Sequence, residues 1–598
     1  MTKTAYARRG FGAIAAAGLI SLTLPAAPAL AQKTKTKPAT EAAQPAPAVD
    51  FIVSIPTIDA VGSSIDDARL RDILSGQLAE NADALATLDA TSITIPEIVL
   101  NVRSTSGDRQ LETAMTFSNL ALENVVDGVA ASIDLGGIAM QSEEASFTFG
   151  PLSAANFDIG GMLGVYGLVD AGGQTELQPI YSDFRAQGGM LEAEDVSCAI
   201  GGASGAEFKA RPLKTSFVEM IAIAQTLEDE GETPDPATMG KILRMYADIF
   251  TAFETSEITF GGFECEGTDD EGRPMTMAVD GMTMAGMVPG IYPALSVDGF
   301  RIDVEGDGNF ALDNFTFKQM DLSTVIATLQ NAPDAVDEAW LEANIRGLIP
   351  AMEGLSLAGL DIDIPDPDTE DGRIKATIGA FDLSLGAYRN GIPTDLDTSA
   401  AHIVVDLPTD SSDEQIQQLL ALGITDVDAG FRVAAAWNEA EQAIDVEEVS
   451  LSGVDLATVL LAGRIANATE ALFATDPDTA LMASMGMAVK SLDLTVTDAG
   501  LADLVITAVS AGQGVDPATL RPVYAGLAEG TVIGMLAGAA DAANLGKAIN
   551  AFVAGTAKTL NIGIVAKTDP GLGMADFAAA EDDPTLLLGK VDISATAR

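Results

Sequence analysis

Two cysteines, Cys198 and Cys265, and a single histidine, His402, are the only thiols and imidazole in the 598 residues. A thiol nucleophile would have to take that one histidine as its base, and a tetrahedral zinc site would need ligands beyond these three side chains. The simpler reading joins Cys198 to Cys265 as a disulfide. In the chain-entropy model a loop of this length contributes about 4 kcal/mol to stability. His402 opens the run His402-Ile403-Val404-Val405, where a lone imidazole reads as a half-exposed strand side chain.

Carboxylates are the opposite case, with 87 Asp and Glu against 32 Lys and Arg. Any two could be named an acid/base pair, so the pairing says little. The densest group is Asp361, Asp363, Asp366, Asp368, Glu370 and Asp371. A calcium loop counted from Asp366 would need glycine at its sixth position, and Gly372 falls at the seventh, so the group reads as a solvated turn. The nucleophile elbow, the phosphate-binding loop, the His-Glu-x-x-His helix and the dinucleotide fingerprint are all missing. No catalytic residue, no metal ligand and no cofactor is assigned.

Met275, Met277, Met282 and Met284 are the residues best suited to a soft apolar ligand surface, since flexible thioethers adapt to varied partners. Strand alternation puts Met275 and Met277 in one phase and Met282 and Met284 in the other. A bulge or kink at Asp280-Gly281 is needed to bring all four to one side.

The elements that would position these residues are mostly strands. Period-two alternation runs through Ser92-Ile93-Thr94-Ile95, Ile133-Asp134-Leu135 and Phe147-Thr148-Phe149. A strand-turn-strand unit appears twice: Ile258 to Phe263, the turn Asp270-Glu271-Gly272-Arg273, and Met275 to Met284; then Leu355 to Leu360, Glu370-Asp371-Gly372-Arg373, and Ile374 to Leu385. Each copy continues into a hairpin that opens Phe300-Arg301-Ile302 or Phe431-Arg432-Val433 and closes with residues 321–325 or 455–459. The later copy is 34 residues longer, since the two halves recur at offsets of 97 (355 against 258) and 131 (431 against 300). It holds a short helix near 411–422. Further helices are expected at 65–88, 236–253, 334–349, 466–485 and, in two pieces, 516–552, with a strand pair at 559–566 and 590–595. Gly534, Gly538 and Ala542 form a small-residue stripe. Trp340 is placed on a helix and Trp437 beside a turn, each filling space against the sheet.

The fold class is therefore α+β, mainly β: an extended antiparallel sheet of repeated β-hairpin modules with packed helices and a C-terminal helical segment. The chain divides into a signal peptide at 1–31, a disordered Pro/Ala/Thr/Lys-rich linker at 32–50, an N-terminal β-rich region at 51–256, two tandem modules at 257–465 and a helical segment with closing strands at 466–598.

The leader carries Lys3, Arg8 and Arg9, a mildly apolar stretch, and Ala29-Leu30-Ala31 before the expected cleavage site. Arg8-Arg9-Gly10-Phe11 resembles a twin-arginine export signal, which implies a protein exported already folded. Loss of three basic residues and no acidic one takes the formal charge from -55 to -58. Such a surface repels nucleic acid and anionic headgroups, while a mean hydropathy of +0.24 is too high for a disordered polyanion. No later segment has transmembrane length; the nearest, 531–540, is short. The expected location is periplasmic or secreted.

The repeated strand-turn-strand units behind such a leader resemble the AsmA-like and repeating β-groove proteins of the Gram-negative envelope, over at most residues 130–465. The stretch 491–598, with Ser491 to Leu501 and Gly514 to Arg521, is similar to the ends of uncharacterised exported alphaproteobacterial proteins. The first resemblance implies an apolar surface on a long sheet. The leading expectation is a non-enzymatic envelope protein that binds an apolar or lipid-like ligand, or an envelope partner, along that surface. The alternatives are a structural or cell-surface interaction protein with a packed core, and a carboxylate-dependent hydrolase.

Overall fold

In the computed structural model, residues 48–598 are described except 107–108, 143–144, 170–172, 217–218, 221–222, 224–233, 367–371, 410, 412, 537–540 and 583–584. The leader, nearly all of the linker, and the turn residues Asp368, Glu370 and Asp371 lie outside that set. Strand makes up 47% and helix 27%, so the molecule is mainly β as its alternation predicts. Every pairing is antiparallel and most join neighbours in the chain, as short hairpin connections require. The result is one large sheet, beside a small separate one made of Ile291–Tyr292, Met320–Asp321 and Ala351–Met352. At one edge Ala48–Ser54 and Asp59–Val61 pair with Ala90–Ser106; at the other, Val591–Ala597 pairs with Thr559–Ala566, the expected closing pair. The sheet passes unbroken across residues 256 and 466.

A crease crosses this sheet perpendicular to its strands. In the N-terminal part Ala90–Ser106 and Arg109–Val126 run on unbroken, but other full-width strands are split, as at Val196–Ile200 and Ala203–Ala210, or at Pro274–Val279 and Gly281–Met284. Further on the strands continue through it, and the crease is marked by a single backbone position on each. Gly188 (φ 88°), Gly262 (φ 72°), Gly299 (φ 64°), Gly359 (φ 64°) and His402 (φ 54°) occupy alternate strands. Between them lie Gly201, Asp280, Asp313, Gly379 and Gly430. The reason for glycine is explicit at two sites: a Cβ on Gly262 would lie 1.9 Å from the Val279 carbonyl oxygen, and one on Gly188 2.2 Å from that of Ile200.

Each crossing changes the phase of the apolar residues, from Leu295 and Val297 to Phe300 and Ile302, or from Leu355 and Leu357 to Leu360 and Ile362. An inserted residue at the crease lets the same face stay apolar on both sides of it. The break at Asp280, between Val279 and Gly281, is the kink the methionine spacing requires, and it is one station of this line.

Among the described residues, little covers the middle of the sheet. One buried cluster joins residues 67–86 and helix Ile159–Val165 to the first strands, with Leu70, Ile73 and Ile95 at 1% exposure. A second joins Pro236–Ile249 to Ser323–Gln330, a third gathers Val165, Ile180 and Ala210, and a fourth packs Ala566, Leu572 and Val591 with Leu587. None of these draws on the strands from Gly354–Pro365 to Ala457–Ala466. The accessible surface is 35149 Å², whereas a compact monomer of 61.5 kDa would expose about 20,000 Å². Residues outside the described set cannot supply the whole difference, because even an unfolded chain exposes only about 150 Å² per residue. Among the described residues, the centre of the sheet is a single layer.

Several local expectations change. The helix expected at 65–88 is a broken series from Asp67 to Ala86, interrupted at Gly76. That expected at 466–485 shrinks to Pro477–Met485, because Ala457–Ala466 is still strand and Thr469 only opens a 3₁₀ turn. Residues 516–552 form two helices, Pro517–Met535 and Ala542–Val553. Gly534 and Ala542 thus lie on different helices, and Gly538 is outside the described residues; a close contact between the two helices is Gly546 against Ile533.

The two repeat copies also diverge. After Asp321 the first copy enters helix Ser323–Gln330, whereas after Asp455 the second enters strand Ala457–Ala466. The added residues of the later copy hold strand Asp395–Asp406 as well as helix Glu414–Ala421.

Candidate functional site

The two faces of the sheet differ in chemistry along whole rows. On the apolar face one row runs Leu100, Met115, Met140, Phe147, Leu191, Cys198, Cys265, Met277, Ile302, Phe310, Ile362, Ala376 and Val405, each directly opposed to the next. Cys198 and Cys265 are bonded, with S–S 2.07 Å, across the pair Val196–Ile200 and Phe263–Thr268. Apart from these cysteines no member of the row is buried. The disulfide staples adjacent strands beside Met277 and fits an oxidising compartment.

Across the crease, Met282 opposes Phe260 and Val297, and Met284 opposes Ile258 and Leu295. All four predicted methionines are half-buried, the exposure of side chains on an uncovered sheet face. The same surface continues through Phe315, Leu357 and Phe381 to Phe431, Leu451 and Val459. Leu451 is 63% exposed although its strand is paired on both sides.

On the other face, a polar row crosses from edge to edge: Asp59, Thr94, Ala121, Asp134, Ser153, Arg185, Ser204, Thr259, Thr283, Ser296, Thr316, Ser356, Asp382, Ser399, Arg432, Ser450, Leu460, Thr495, Asn561 and Thr596. All but Ala121 and Leu460 can hydrogen-bond. In its later part the row ties itself together. Lys318 donates to Asp382 and Ser384 at 2.7 Å, Asn314 to Ser296 at 2.8 Å, and Thr495 to Asn561 at 2.9 Å. Arg432 grips Asp397 with two hydrogen bonds, of 3.1 and 2.8 Å, and holds that carboxyl below its usual range. Arg301 does the same to Asp280 at the crease.

A cavity of about 750 Å³ opens on this face where the crease crosses the N-terminal strands, lined by Asn119, Asp134, Ser153, Arg185, Gln187, Ser204 and Thr259 among others. Sequence reasoning missed it. Its signal is the series of glycine doublets in mid-strand, Gly136-Gly137, Gly188-Gly189, Gly201-Gly202 and Gly261-Gly262.

The remaining candidates are placed as follows. His402 is 69% exposed with Nδ1 3.0 Å from Asp428, and it holds a crease position that other strands give to glycine. The cysteines are not near it in the sheet register. Asp363 is bound by Arg373 and Lys375, and Arg373 keeps its carboxyl low. Every described Asp whose pKa is displaced is displaced downward; a general acid needs the reverse. No group that could hold a metal ion occurs among the described residues. Trp437 donates to the Ala468 carbonyl at 2.7 Å and packs edge-on against Phe473, so it seals a turn against the sheet.

A family model described as an uncharacterized protein matches residues 450–598, less than half of the chain. No curated protein and no solved structure matches it. No helix among the described residues is long and apolar enough to cross a membrane.

Proposed function

We propose that this is an exported, non-enzymatic envelope protein that holds an apolar, lipid-like ligand along the uncovered face of its sheet. The observation that carries this reading is the continuity of that face: row after row of Leu, Ile, Val, Phe and Met, half-buried only by their neighbours. Exposed apolar patches larger than a few hundred Å² mark ligand or partner surfaces in soluble chains. Burial of such side chains by an acyl chain gains about 25 cal/mol per Å². Met275, Met277, Met282 and Met284 supply the adaptable part of the surface where the crease bends it. The disulfide and the expected leader, with its twin-arginine-like Arg8-Arg9, fit a periplasmic or secreted location.

The test is mass spectrometry of organic extracts of natively purified protein, wild type beside Met282→Asp and Met284→Asp. Both positions are half-buried rather than enclosed, so each variant should fold with an unchanged far-UV spectrum and lose the co-purifying lipid. Unfolded variants would indicate a packed core, and a wild type free of lipid would favour an interaction with a protein partner through the same face.

A further inference from the structure

The cavity on the polar face is built differently from the rest of that face. Asn119, Asp134, Ser153, Arg185 and Gln187 line it, and none of their side chains has a hydrogen-bond or ion-pair partner among the described residues. Charged groups further along the same row are engaged: Arg432 is held by Asp397 and Glu448, and Asp382 by Lys318. A free guanidinium is conspicuous in a chain with 87 acidic side chains. Asp134 opposes Ser153, and Ser153 opposes Arg185, so the two unpaired charges stand two strands apart, about 9.6 Å between backbones. They do not reach each other. A ligand between them would meet a cation on one side, an anion on the other, and hydroxyl and amide groups at the rim.

We infer that this cavity is a binding site for a dipolar group in which an ammonium and an oxyanion, phosphate or carboxylate, lie a few ångströms apart. Arg185 would take the oxyanion through paired N–H donors, Ser153, Asn119 and Gln187 its remaining oxygens, and Asp134 the ammonium. The net charge of the chain argues for the dipolar form over a simple anion. A field of that sign repels a bare phosphate, whereas a ligand of zero net charge pays no such cost and satisfies both unpaired groups. The glycines at 136, 202 and 261 leave backbone exposed at the cavity wall, and a Cβ on Gly202 would lie 2.6 Å from the Ala186 carbonyl oxygen. This site is on the opposite face from the apolar surface and does not depend on it.

Isothermal titration of the full chain with glycerophosphoethanolamine and with glycylglycine, both without net charge at neutral pH, beside dimethyl phosphate and ethylamine, tests the assignment. At least one dipolar probe should bind, and each singly charged probe should bind at least about 10-fold more weakly. The preferred dipolar probe tells phosphate from carboxylate chemistry. Arg185→Gln and Asp134→Asn should each weaken that probe by about 10-fold or more while leaving the melting temperature unchanged, because neither residue has a partner to lose. Dimethyl phosphate binding as tightly as the dipolar probes, variants that bind like wild type, or no heat from either dipolar probe up to about 10 mM would each overturn it.

Discussion

At the scale of single residues, charges and cysteines act as local ties. Asp498, 5% exposed, accepts from the backbone N–H groups of Ala502 and Gly500 at the start of helix Leu501–Gln513, and from Lys558 at 2.9 Å. Burial pushes its carboxyl up, but the Ala502, Lys558 and Gly500 donors outweigh that and hold it below 3.8. A carboxyl lowered on folding contributes stability that is fully present above its unfolded value and is lost as pH falls through the folded value. Asp498→Ala should therefore cost about 2 kcal/mol at pH 7. The gap to wild type should narrow as pH falls through the lowered Asp498 value, as chemical denaturation at several pH values would show. For the cysteines, peptide mapping without reduction should recover Cys198 linked to Cys265. Cys198→Ser with Cys265→Ser should lower stability by about 4 kcal/mol, read from the urea midpoint.

Elements show which parts of the fold were open to inspection in the sequence and which were not. Alternation such as Phe147-Thr148-Phe149 names a strand because side chains on a pleated ribbon face opposite ways, and the methionine spacing demanded the break at Asp280 before any neighbour was known. The crease itself was hidden. Its stations lie on strands far apart in the chain, and only pairing puts Gly299 beside Asp313 and Gly359 beside Gly379. The same holds for the cavity, whose Asp134 and Arg185 are neighbours only through Ser153. The segments after Asp321 and Asp455 look alike yet become helix and strand, because the second is flanked by paired strands and the first packs against helix Pro236–Ile249.

The crease predicts an ordering of substitutions. Gly262→Ala, which drives a Cβ into backbone at φ 72°, should cost about 3 kcal/mol from the strain and the overlap together. Gly526→Ala, in a helix with open space around it, should stabilise by about 0.5–1 kcal/mol. His402→Gly should be neutral or stabilising by about 1 kcal/mol, since it relieves a left-handed residue at the expense of an exposed contact. Urea midpoints of the three variants give the order directly.

At the scale of the molecule, a single-layer sheet that leaves one apolar face open should be larger in solution than a compact chain of 598 residues, for which a radius of gyration of about 25 Å is expected. Small-angle scattering should give a clearly higher value; agreement with about 25 Å would mean that the sheet closes on itself and covers that face. The central claim is sharper than size, because it assigns ligand contact to one face and not the other. Leu357 and Ser356 are consecutive on strand Gly354–Pro365, both half-buried, and point to opposite faces. A photo-cross-linking benzoylphenylalanine placed at each position in turn, irradiated in the producing cells and followed by intact-protein mass spectrometry, reads the two faces independently. The prediction is an adduct of acyl-lipid mass at 357 and none at 356. Lipid adducts at both positions, or at neither, would contradict it.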